Sequence, residues 1–217
     1  MILCPSMMCV DIQNLKKEVK SLEEAGADLF HCDVMDGHFV NNMALGLEDL
    51  KAIKNIATIP MDMHLMIDNP SSIIDLFIQI KPSIIYIHFE SEKYISKTLN
   101  KIKESGIRAG LAINPDTSIS SIEEVLYLCD DVLVMSVNPG FKGQNFINTV
   151  NHKITMLSGL KKKYGYRLFM DGACSMNIIK NYSQLGIDGF VLGTSTLFKE
   201  KKVNDYKDIL RSIRGII

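Results

Sequence analysis

Imidazole and carboxylate side chains alternate with apolar side chains in two short hydrophobic segments of the sequence. Successive side chains on a β-strand point to opposite faces, so His31 and Asp33 would share one face of a strand within residues 30–39. His64 takes an equivalent place within residues 61–66. A half-buried strand with one polar face is the alternative explanation, but the opposite face is wholly apolar in both segments. Such donors on neighbouring strands can bind a divalent cation and exchange protons with a substrate.

Further polar side chains follow the ends of other apolar segments, at Ser6, His88, Glu90 and Asp171. If these ends meet, two imidazoles with two carboxylates would form a site for one divalent cation. A single inward His or Asp is more often a hydrogen-bonded core residue, but four together at strand ends favour a site. Asp62 and the pair of His88 and Glu90 are as well suited to orienting the ligands as to binding the ion.

The elements that would position these groups are short apolar runs alternating with longer amphipathic segments. Eight such units close a parallel α/β barrel, the TIM (β/α)8 barrel, whose function lies at the C-terminal ends of its strands. An open doubly wound sheet is the alternative, but it predicts a glycine fingerprint after the first strand, where residues 5–9 contain no glycine. No linker divides the chain, so we predict a single catalytic domain over residues 1–217. The predicted strands are 2–5, 28–34, 60–66, 83–89, 107–113, 131–137, 166–171 and 188–193, and the predicted helices are 12–24, 47–55, 71–80, 94–105, 120–129, 146–163, 176–184 and 203–217.

The composition limits the kinds of partner that the protein would bind. Its 217 residues include 24 Lys and Arg against 25 Asp and Glu, so its net charge gives no electrostatic attraction to nucleic acid or to an anionic membrane. The 5 cysteines are widely spaced and form no C-x-x-C pair, which is typical of free thiols in a reducing compartment. The first residues are typical of a strand rather than a basic leader, and no apolar stretch reaches the ~20 residues that span a bilayer. We therefore expect a soluble cytoplasmic protein.

Three glycine-containing segments follow the sixth, seventh and eighth predicted strands, at residues 138–144, 171–174 and 193–195. Glycines let backbone N–H groups approach an anion, and helix N-termini add partial positive charge, so a nearly neutral protein could hold a phosphate here. TIM barrels often bind phosphate after strands seven and eight. A tight turn would explain each glycine taken by itself. Glycines in three successive loops instead favour an anion-binding site, called here the anion cradle. The first loop is long enough to act as a lid over a substrate.

Taken in order, these motifs resemble those of the ribulose-phosphate 3-epimerase family, and the likeness extends through essentially the whole chain. Within the family the chain is more similar to the D-allulose-6-phosphate 3-epimerase branch, through residues 5–9, 171–174 and 193–198. The motifs that carry the family resemblance are Pro5-Ser6, the run from His31 to Val40, His64-Leu65-Met66, Asn138-Pro139-Gly140-Phe141, Asp171-Gly172 and Gly193-Thr194-Ser195.

The resemblance implies an isomerase that binds one divalent metal ion, Zn, Mn, Fe, Co or Mg. Asp33 and Asp171 would also act as acid and base, inverting C3 of a ketose phosphate through an enediolate. Methionines would cover the reacting carbons, and the glycine-rich loops would hold the phosphate. The implied metal ligands are His31, Asp33, His64 and Asp171. The residues implied for substrate binding are Ser6, Met35, His64, Met66, Met135, Gly140, Phe141, Lys142, Gly143, Gly172, Ala173, Gly193 and Thr194.

The sequence departs from the family pattern at three positions. Asn41 stands at a usual proline, Lys142 at a usual loop glycine, and Ala173 at the second place of a usual glycine pair. The Lys142 side chain could reach the phosphate or point to solvent, and its role stays open.

The resemblance ranks D-allulose 6-phosphate first as substrate, with D-ribulose 5-phosphate as the alternative, and it implies a homo-oligomer. A decarboxylase or aldolase is disfavoured, because the D-x-K-x-x-D run it would carry has no lysine in residues 62–67. A metal-dependent hydrolase would release phosphate, and a catalytically silent sugar-phosphate binder would exchange no proton at C3. The choice of metal is not fixed, since mixed nitrogen and oxygen sites accept several divalent ions.

Overall fold

Eight parallel β-strands form the centre of the protein, as the alternating apolar pattern predicts. The computed structural model describes residues 1–199 and 205–217. The strands are rich in Ile, Val, Leu and Phe, which suit a pleated surface that is buried on both sides. A ninth, two-residue strand was not predicted. The strands in the described part of the chain are β1 (Ile2–Pro5), β2 (Phe30–Asp36), β3 (Met43–Ala44), β4 (Met61–Met66), β5 (Ile84–His88), β6 (Arg108–Ile113), β7 (Asp131–Met135), β8 (Arg167–Asp171) and β9 (Gly189–Leu192).

Helices follow the strands and cover the outside of the sheet. Three of the predicted helices are partly 3₁₀ helix in the described part of the chain, since 3₁₀ turns serve in short pieces. These 3₁₀ segments are Ile12–Asn14, Pro70–Ser72 and Glu123–Leu128. The predicted start of the last helix, Val203, lies outside the described residues. The α-helices are α1 (Leu15–Ala25), α2 (Leu47–Ile56), α3 (Ile74–Ile78), α4 (Ile95–Glu104), α5 (Ile119–Ile122), α6 (Val150–Tyr164), α7 (Met176–Ser183) and α8 (Tyr206–Arg214).

The sheet closes into a ring between its first and second strands. The strand order is β1-β9-β8-β7-β6-β5-β4-β2-β3, and every pairing is parallel except β2 with β3. A parallel bridge joins Ser6 to His31, and the backbone N–H of Asp28 donates to the carbonyl of Leu3 at 3.1 Å. These contacts complete the predicted TIM barrel.

Strand β2 extends to Asp36, two residues beyond its predicted end at Val34. The extension exists because β3 pairs with it, placing Met35 opposite Ala44 and Asp36 opposite Met43. A hairpin of this kind leaves little hydrophobic pattern in the sequence, since one of its strands has two residues.

The two faces of the strands build separate cores. On β2, Phe30, Cys32 and Val34 pack outward against the helices, while the opposite face points into the barrel. Tyr86 fills much of the lower barrel, where a Cβ at Gly110 would overlap its ring. All five cysteines are buried free thiols, as predicted. None of the helices in the described segments has both the length and the apolar character needed to cross a membrane.

Candidate active site

The pairing of β2 with β4 assembles most of the predicted ligands. In this register His31 lies opposite Asp62, and Asp33 lies opposite His64. The exposed fraction of these four side chains is at most 3%, because alternation along each strand turns them into the barrel. Asp171 arrives from the end of β8. The sequence pattern of two polar strand faces therefore corresponds to one shared interior surface.

Four side chains form a cluster, defined here as His31, Asp33, His64 and Asp171, with one ligand atom from each lying within 4.8 Å of the others. Nε2 of His31 is 3.2 Å from Oδ1 of Asp33 and 3.7 Å from Oδ2 of Asp171. Nδ1 of His64 is 3.2 Å from Oδ1 of Asp33 and 3.8 Å from Oδ2 of Asp171. The structure thus brings together all four residues that the sequence proposes as ligands.

The donor set of the cluster suits a divalent cation. Both ring nitrogens of His31 are buried and lack a hydrogen-bond partner among the residues that the structure describes, and Nε2 is the one that faces Asp33 and Asp171. A buried polar nitrogen is normally bonded, so this atom is suited to an ion. Two imidazole nitrogens and two carboxylate oxygens accept Zn²⁺ and several other first-row divalent ions. The cluster could therefore hold one such ion.

The surroundings of the two cluster carboxyls push their pKa values in opposite directions. Burial favours the neutral form of both. At Asp33 the imidazoles of His31 and His64 outweigh burial and hold the pKa well below its ordinary range, and the Ser6 hydroxyl donates to Oδ2 at 2.7 Å. At Asp171, burial and the negative charge of Asp33 raise the pKa. The surroundings therefore favour ionisation of Asp33 more strongly than ionisation of Asp171.

Each imidazole of the cluster has a partner behind it. Nδ1 of His31 lies 2.8 Å from Oδ1 of Asp62. Nε2 of His64 is hydrogen-bonded to Nε2 of His88 at 2.8 Å, and Nδ1 of His88 faces Oε2 of Glu90 at 3.1 Å. Burial lowers the pKa of His88 to about 4, although Glu90 opposes the shift. Asp62, His88 and Glu90 therefore lie where they can orient the ligands, outside the cluster itself.

A cavity opens above the cluster at the C-terminal ends of the strands. Asp33 and Asp171 line its floor, whereas His31 and His64 are fully buried. His64 does not line the cavity in the described part of the chain, and its contact with substrate stays a prediction. The other residues implied for substrate binding all line the cavity: Ser6, Met35, Met66, Met135, Gly140, Phe141, Lys142, Gly143, Gly172, Ala173, Gly193 and Thr194.

Other lining residues were not named individually for substrate binding from the sequence. Met8 and Cys9 lie in or beside the 3₁₀ turn 7–9 directly after β1, so their position after a strand end could have indicated them. Several others fall inside the glycine-containing loops or flank them. The additional lining residues are Met8, Cys9, Val137, Asn138, Pro139, Gln144, Cys174, Val191 and Ser195.

The loop after β8 has a backbone that only small residues allow. Gly172 has φ +106°, and a Cβ there would lie 2.6 Å from Cγ2 and 2.9 Å from the backbone nitrogen of Val137. Ala173 has φ 47°, in the left-handed region that non-glycine residues seldom adopt. The neighbouring loop 138–144 is tied down by Asn42, whose Nδ2 donates to the carbonyl of Gly140 at 2.7 Å. Close backbone approach at this end of the cavity is compatible with the predicted anion cradle.

A closed (β/α)8 barrel with two carboxyls of opposed pKa above buried imidazoles defines an enzyme of the TIM-barrel class. A model described as the Ribulose-phosphate 3 epimerase family matches residues 2–198. The chain belongs to the ribulose-phosphate 3-epimerase family, whose named members are isomerases.

Curated relatives match over nearly the full length of both chains. Ribulose-phosphate 3-epimerase of Aquifex aeolicus is 38% identical, over 98% of this chain and 96% of the relative. The Escherichia coli K12 enzyme of the same name is 37% identical, over 99% and 95%. The Bacillus subtilis enzyme is 35% identical, over 97% of each. These names support the 3-epimerase class and give no support to the D-allulose-6-phosphate branch.

Solved structures with low sequence identity share the fold. A 3-hexulose-6-phosphate synthase superposes with a TM-score of 0.70 at 13% identity, covering 100% of both chains. A phosphoribosyl anthranilate isomerase from Thermus thermophilus gives 0.71 at 10% identity, again over 100% of both. The predicted TIM barrel is thereby confirmed.

Proposed function

We propose that the protein interconverts D-ribulose 5-phosphate and D-xylulose 5-phosphate by inverting C3. The observation that carries the proposal is the pair Asp33 and Asp171, whose pKa values are pushed apart at the floor of one cavity. The names of the curated relatives favour this pentulose over D-allulose 6-phosphate, which the sequence resemblance ranked first. D-allulose 6-phosphate therefore becomes the second candidate.

In the proposed acid–base step the two carboxyls take complementary roles, as the opposite directions of their pKa shifts favour. Ionised Asp33 removes the proton from C3, which the neighbouring C2 carbonyl makes acidic, and an enediolate forms. Protonated Asp171 then delivers a proton to the opposite face of C3, and the exchange of roles runs the reaction in reverse. A positioned acid or base contributes typically about 10²–10⁴-fold to the rate.

A divalent cation held by His31, Asp33, His64 and Asp171 would polarise the C2 carbonyl and stabilise the charge of the enediolate. The protein groups around it keep the donors in place. Ser6 fixes one oxygen of Asp33, Asp62 lies against one imidazole, and His88 lies against the other.

The methionines exclude water from the reacting carbons, and the glycine-containing loops bind the phosphate group. Met35, Met66 and Met135 are at most 5% exposed and line the cavity, where flexible apolar thioethers exclude water from the enediolate. The backbone around Gly172 and Gly193 receives the phosphate. Lys142 is exposed on loop 138–144 and lines the same cavity, so its ammonium group adds positive charge for the phosphate dianion.

The test is exchange and turnover in deuterated water. The protein is incubated in turn with D-ribulose 5-phosphate and D-allulose 6-phosphate, and NMR follows deuterium at C3 while metal content is determined on the same sample. We expect C3-specific exchange, formation of the C3 epimer, and a higher kcat/KM for the pentulose. Release of inorganic phosphate would indicate a hydrolase, and absence of exchange with both sugars would indicate a silent binder. Either result contradicts the proposal.

A further inference from the structure

Asp28 joins the first two strands of the barrel at their N-terminal ends. Its backbone N–H donates to the carbonyl of Leu3 at 3.1 Å, and the backbone N–H of Leu3 donates back to Oδ2 of Asp28 at 2.8 Å. One aspartate therefore satisfies both backbone groups of the residue beside it. This pair of hydrogen bonds between Asp28 and Leu3 is called here the Asp28 clip.

The same pair of hydrogen bonds recurs at two other strand starts. Before β7, the N–H of Asp130 donates to the carbonyl of Ala109 at 2.9 Å, and the N–H of Ala109 donates to Oδ2 of Asp130 at 2.9 Å. Before β9, Asp188 and Leu168 form both bonds at 2.7 Å. An arrangement that is repeated at three strand starts indicates a means of fixing how neighbouring strands align.

The Asp28 clip lies in the same register as the bridge that closes the barrel. Ser6 lies three residues after Leu3, and the bridge joins it to His31. His31 likewise lies three residues after Asp28, so the bridge continues the alignment that the clip begins. A slip of one residue would move Ser6 by about 3.3 Å along β2. Its hydroxyl would then lose the 2.7 Å hydrogen bond that it donates to Oδ2 of Asp33.

The alignment of β1 with β2 depends on its clip more than the alignment of β6 with β7 does. The bridge from Ser6 to His31 is the one β-bridge between β1 and β2 in the described part of the chain. Beside the clip of Asp130, by contrast, β6 and β7 pair along a continuous ladder that runs through Ile113 opposite Val134. A ladder of that length holds its own register, whereas a single bridge needs support from contacts next to it.

Arg214, in the last turn of α8, orients the carboxylate of the Asp28 clip. Its Nη2 donates to Oδ2 of Asp28 at 2.7 Å and to the carbonyl of Gly26 at 3.0 Å, and its Nη1 donates to the carbonyl of Met1 at 3.4 Å. Oδ2 thus accepts both the guanidinium and the N–H of Leu3. The Arg214 side chain is 41% exposed, so solvent screens its charge and the main effect is to hold the carboxylate in place.

We propose that Asp28 is a positioning residue whose clip on Leu3 sets the register of β1 on β2 and thereby holds Ser6 against Asp33. The inference rests on the proposed function, in which Asp33 removes the proton from C3. Strand β1 has four residues, so order at its first end is transmitted over a short distance to the cavity. The N-terminal face of a TIM barrel ordinarily serves stability, and an effect on turnover distinguishes this role from that one.

Three variants separate positioning from general stability. Asp28→Ala removes the acceptor for the N–H of Leu3. Asp28→Asn is the conservative replacement, because its amide oxygen can occupy the Oδ2 position and accept the same donors. Asp130→Ala removes the matched clip on Ala109, and the exposed fractions of the two carboxylate side chains are similar, at 38% for Asp28 and 28% for Asp130.

The first measurement is kcat with D-ribulose 5-phosphate, scaled to the folded fraction found by urea unfolding. We expect kcat to be about 10–100-fold lower in Asp28→Ala, since a displacement of 1 Å can cost about 10²-fold. Asp28→Asn and Asp130→Ala should stay near the unaltered value. Because Asp28 acts through Ser6, Asp28→Ala should lower kcat little further in a protein that already carries Ser6→Ala.

The second measurement needs no turnover. In NMR spectra, the nuclear Overhauser contacts between the backbones of Ser6 and His31 should weaken in Asp28→Ala and persist in Asp130→Ala. If Asp28→Ala does not fold, Arg214→Met gives the same test by a milder change, because it removes the guanidinium that orients the carboxylate.

Two results would overturn the inference: a kcat in Asp28→Ala no lower than in Asp130→Ala, or losses from Asp28→Ala and Ser6→Ala that are independent of each other. Failure of the proposed function has a different signature. In that case the unaltered protein would turn over neither ketose phosphate, while the contact between Ser6 and His31 would still weaken in Asp28→Ala.

Discussion

Asp33 lies directly opposite His64 in the pairing of β2 with β4, and Oδ1 of the carboxylate is 3.2 Å from Nδ1 of the imidazole. Two residues earlier, the same pairing sets His31 opposite Asp62. One strand register therefore positions three of the four proposed ligands together with one of their partners. A one-residue slip of β4 against β2 would turn Asp62 and His64 out of the barrel, so the site depends on this pairing as much as on the side chains.

Replacing either carboxyl of the acid–base pair should abolish most of the turnover. Asp33→Asn and Asp171→Asn are each expected to lower kcat by about 10²–10⁴-fold or more, because an amide neither removes nor returns the C3 proton. The measurement is the rate of epimerisation together with C3 deuterium exchange. Asp36→Asn is the control, since Asp36 ends the same strand and accepts the N–H groups of His38 and Phe39. Near-normal turnover in Asp171→Asn would show that the returning acid lies elsewhere.

The loop after β8 should not tolerate an added methyl group at Gly172, but it should tolerate the loss of one at Ala173. Gly172→Ala is expected to destabilise the protein by about 1–3 kcal/mol and raise KM, because the Cβ would press on Val137 and φ is +106°. Urea unfolding and steady-state kinetics measure the two effects. Ala173→Gly is the matched control, because glycine adopts its φ of 47° without strain. Equal stability of Gly172→Ala and the unaltered protein would contradict the described loop.

Lys142 should contribute to phosphate binding and not to the chemical step. Lys142→Met is expected to raise KM by up to about fivefold with kcat unchanged, since an exposed ion pair is worth up to about 1 kcal/mol. The rise should shrink as salt increases, and competitive inhibition by inorganic phosphate should weaken in parallel. Lys97→Met removes an exposed lysine from α4 and serves as the control. If KM and phosphate inhibition stay unchanged in Lys142→Met, the side chain points to solvent.

Glu23 should stabilise the fold in a pH-dependent way. Burial raises its pKa, but hydrogen bonds from Lys20, Thr58 and Ile59 outweigh this and lower the pKa from 4.5 to about 2. A carboxyl with a lowered folded-state pKa stabilises the protein fully above its unfolded pKa, and this stabilisation is lost as pH falls toward the folded value. The difference in free energy of unfolding between the unaltered protein and Glu23→Gln should therefore be larger at pH 6 than at pH 3.

Urea unfolding at the two pH values measures this difference. Glu24→Gln, which alters the exposed neighbouring carboxyl, is the control and should show little effect at either pH. A difference for Glu23→Gln that grows as the pH is lowered would contradict the assigned hydrogen bonds.

The sequence predicts which groups face inward more readily than it predicts which of them touch. Two-residue alternation places His31, Asp33 and His64 on interior faces, and the strand ends locate Asp171. The contact between His64 and His88 has no such signature, because the register of β4 with β5 sets His64 opposite Tyr86. His88 lies two residues beyond Tyr86 on the same face of β5, so the two imidazoles meet as a diagonal pair across strands, and this depends on a register that the local pattern does not encode.

Other parts of the fold escaped prediction for similar reasons. Strand β3 has two residues, too few for a periodic signal, and it forms by pairing with the end of β2. Met8 and Cys9 reach the cavity because the 3₁₀ turn after β1 folds back over the barrel mouth. Both features depend on neighbours that are distant or irregular in sequence.

The contact that closes the barrel lies at the site itself, because it is the β-bridge between Ser6 and His31. Ser6 donates a hydrogen bond to Asp33, and His31 is a proposed metal ligand. Strand β1 also pairs with β9, so its place is secured only after the final strand has been synthesised. A nascent or truncated chain would thus remain inert toward sugars even when most of its strands are formed. Catalytic competence should arise late and abruptly during biosynthesis, in the same event that seals the ring.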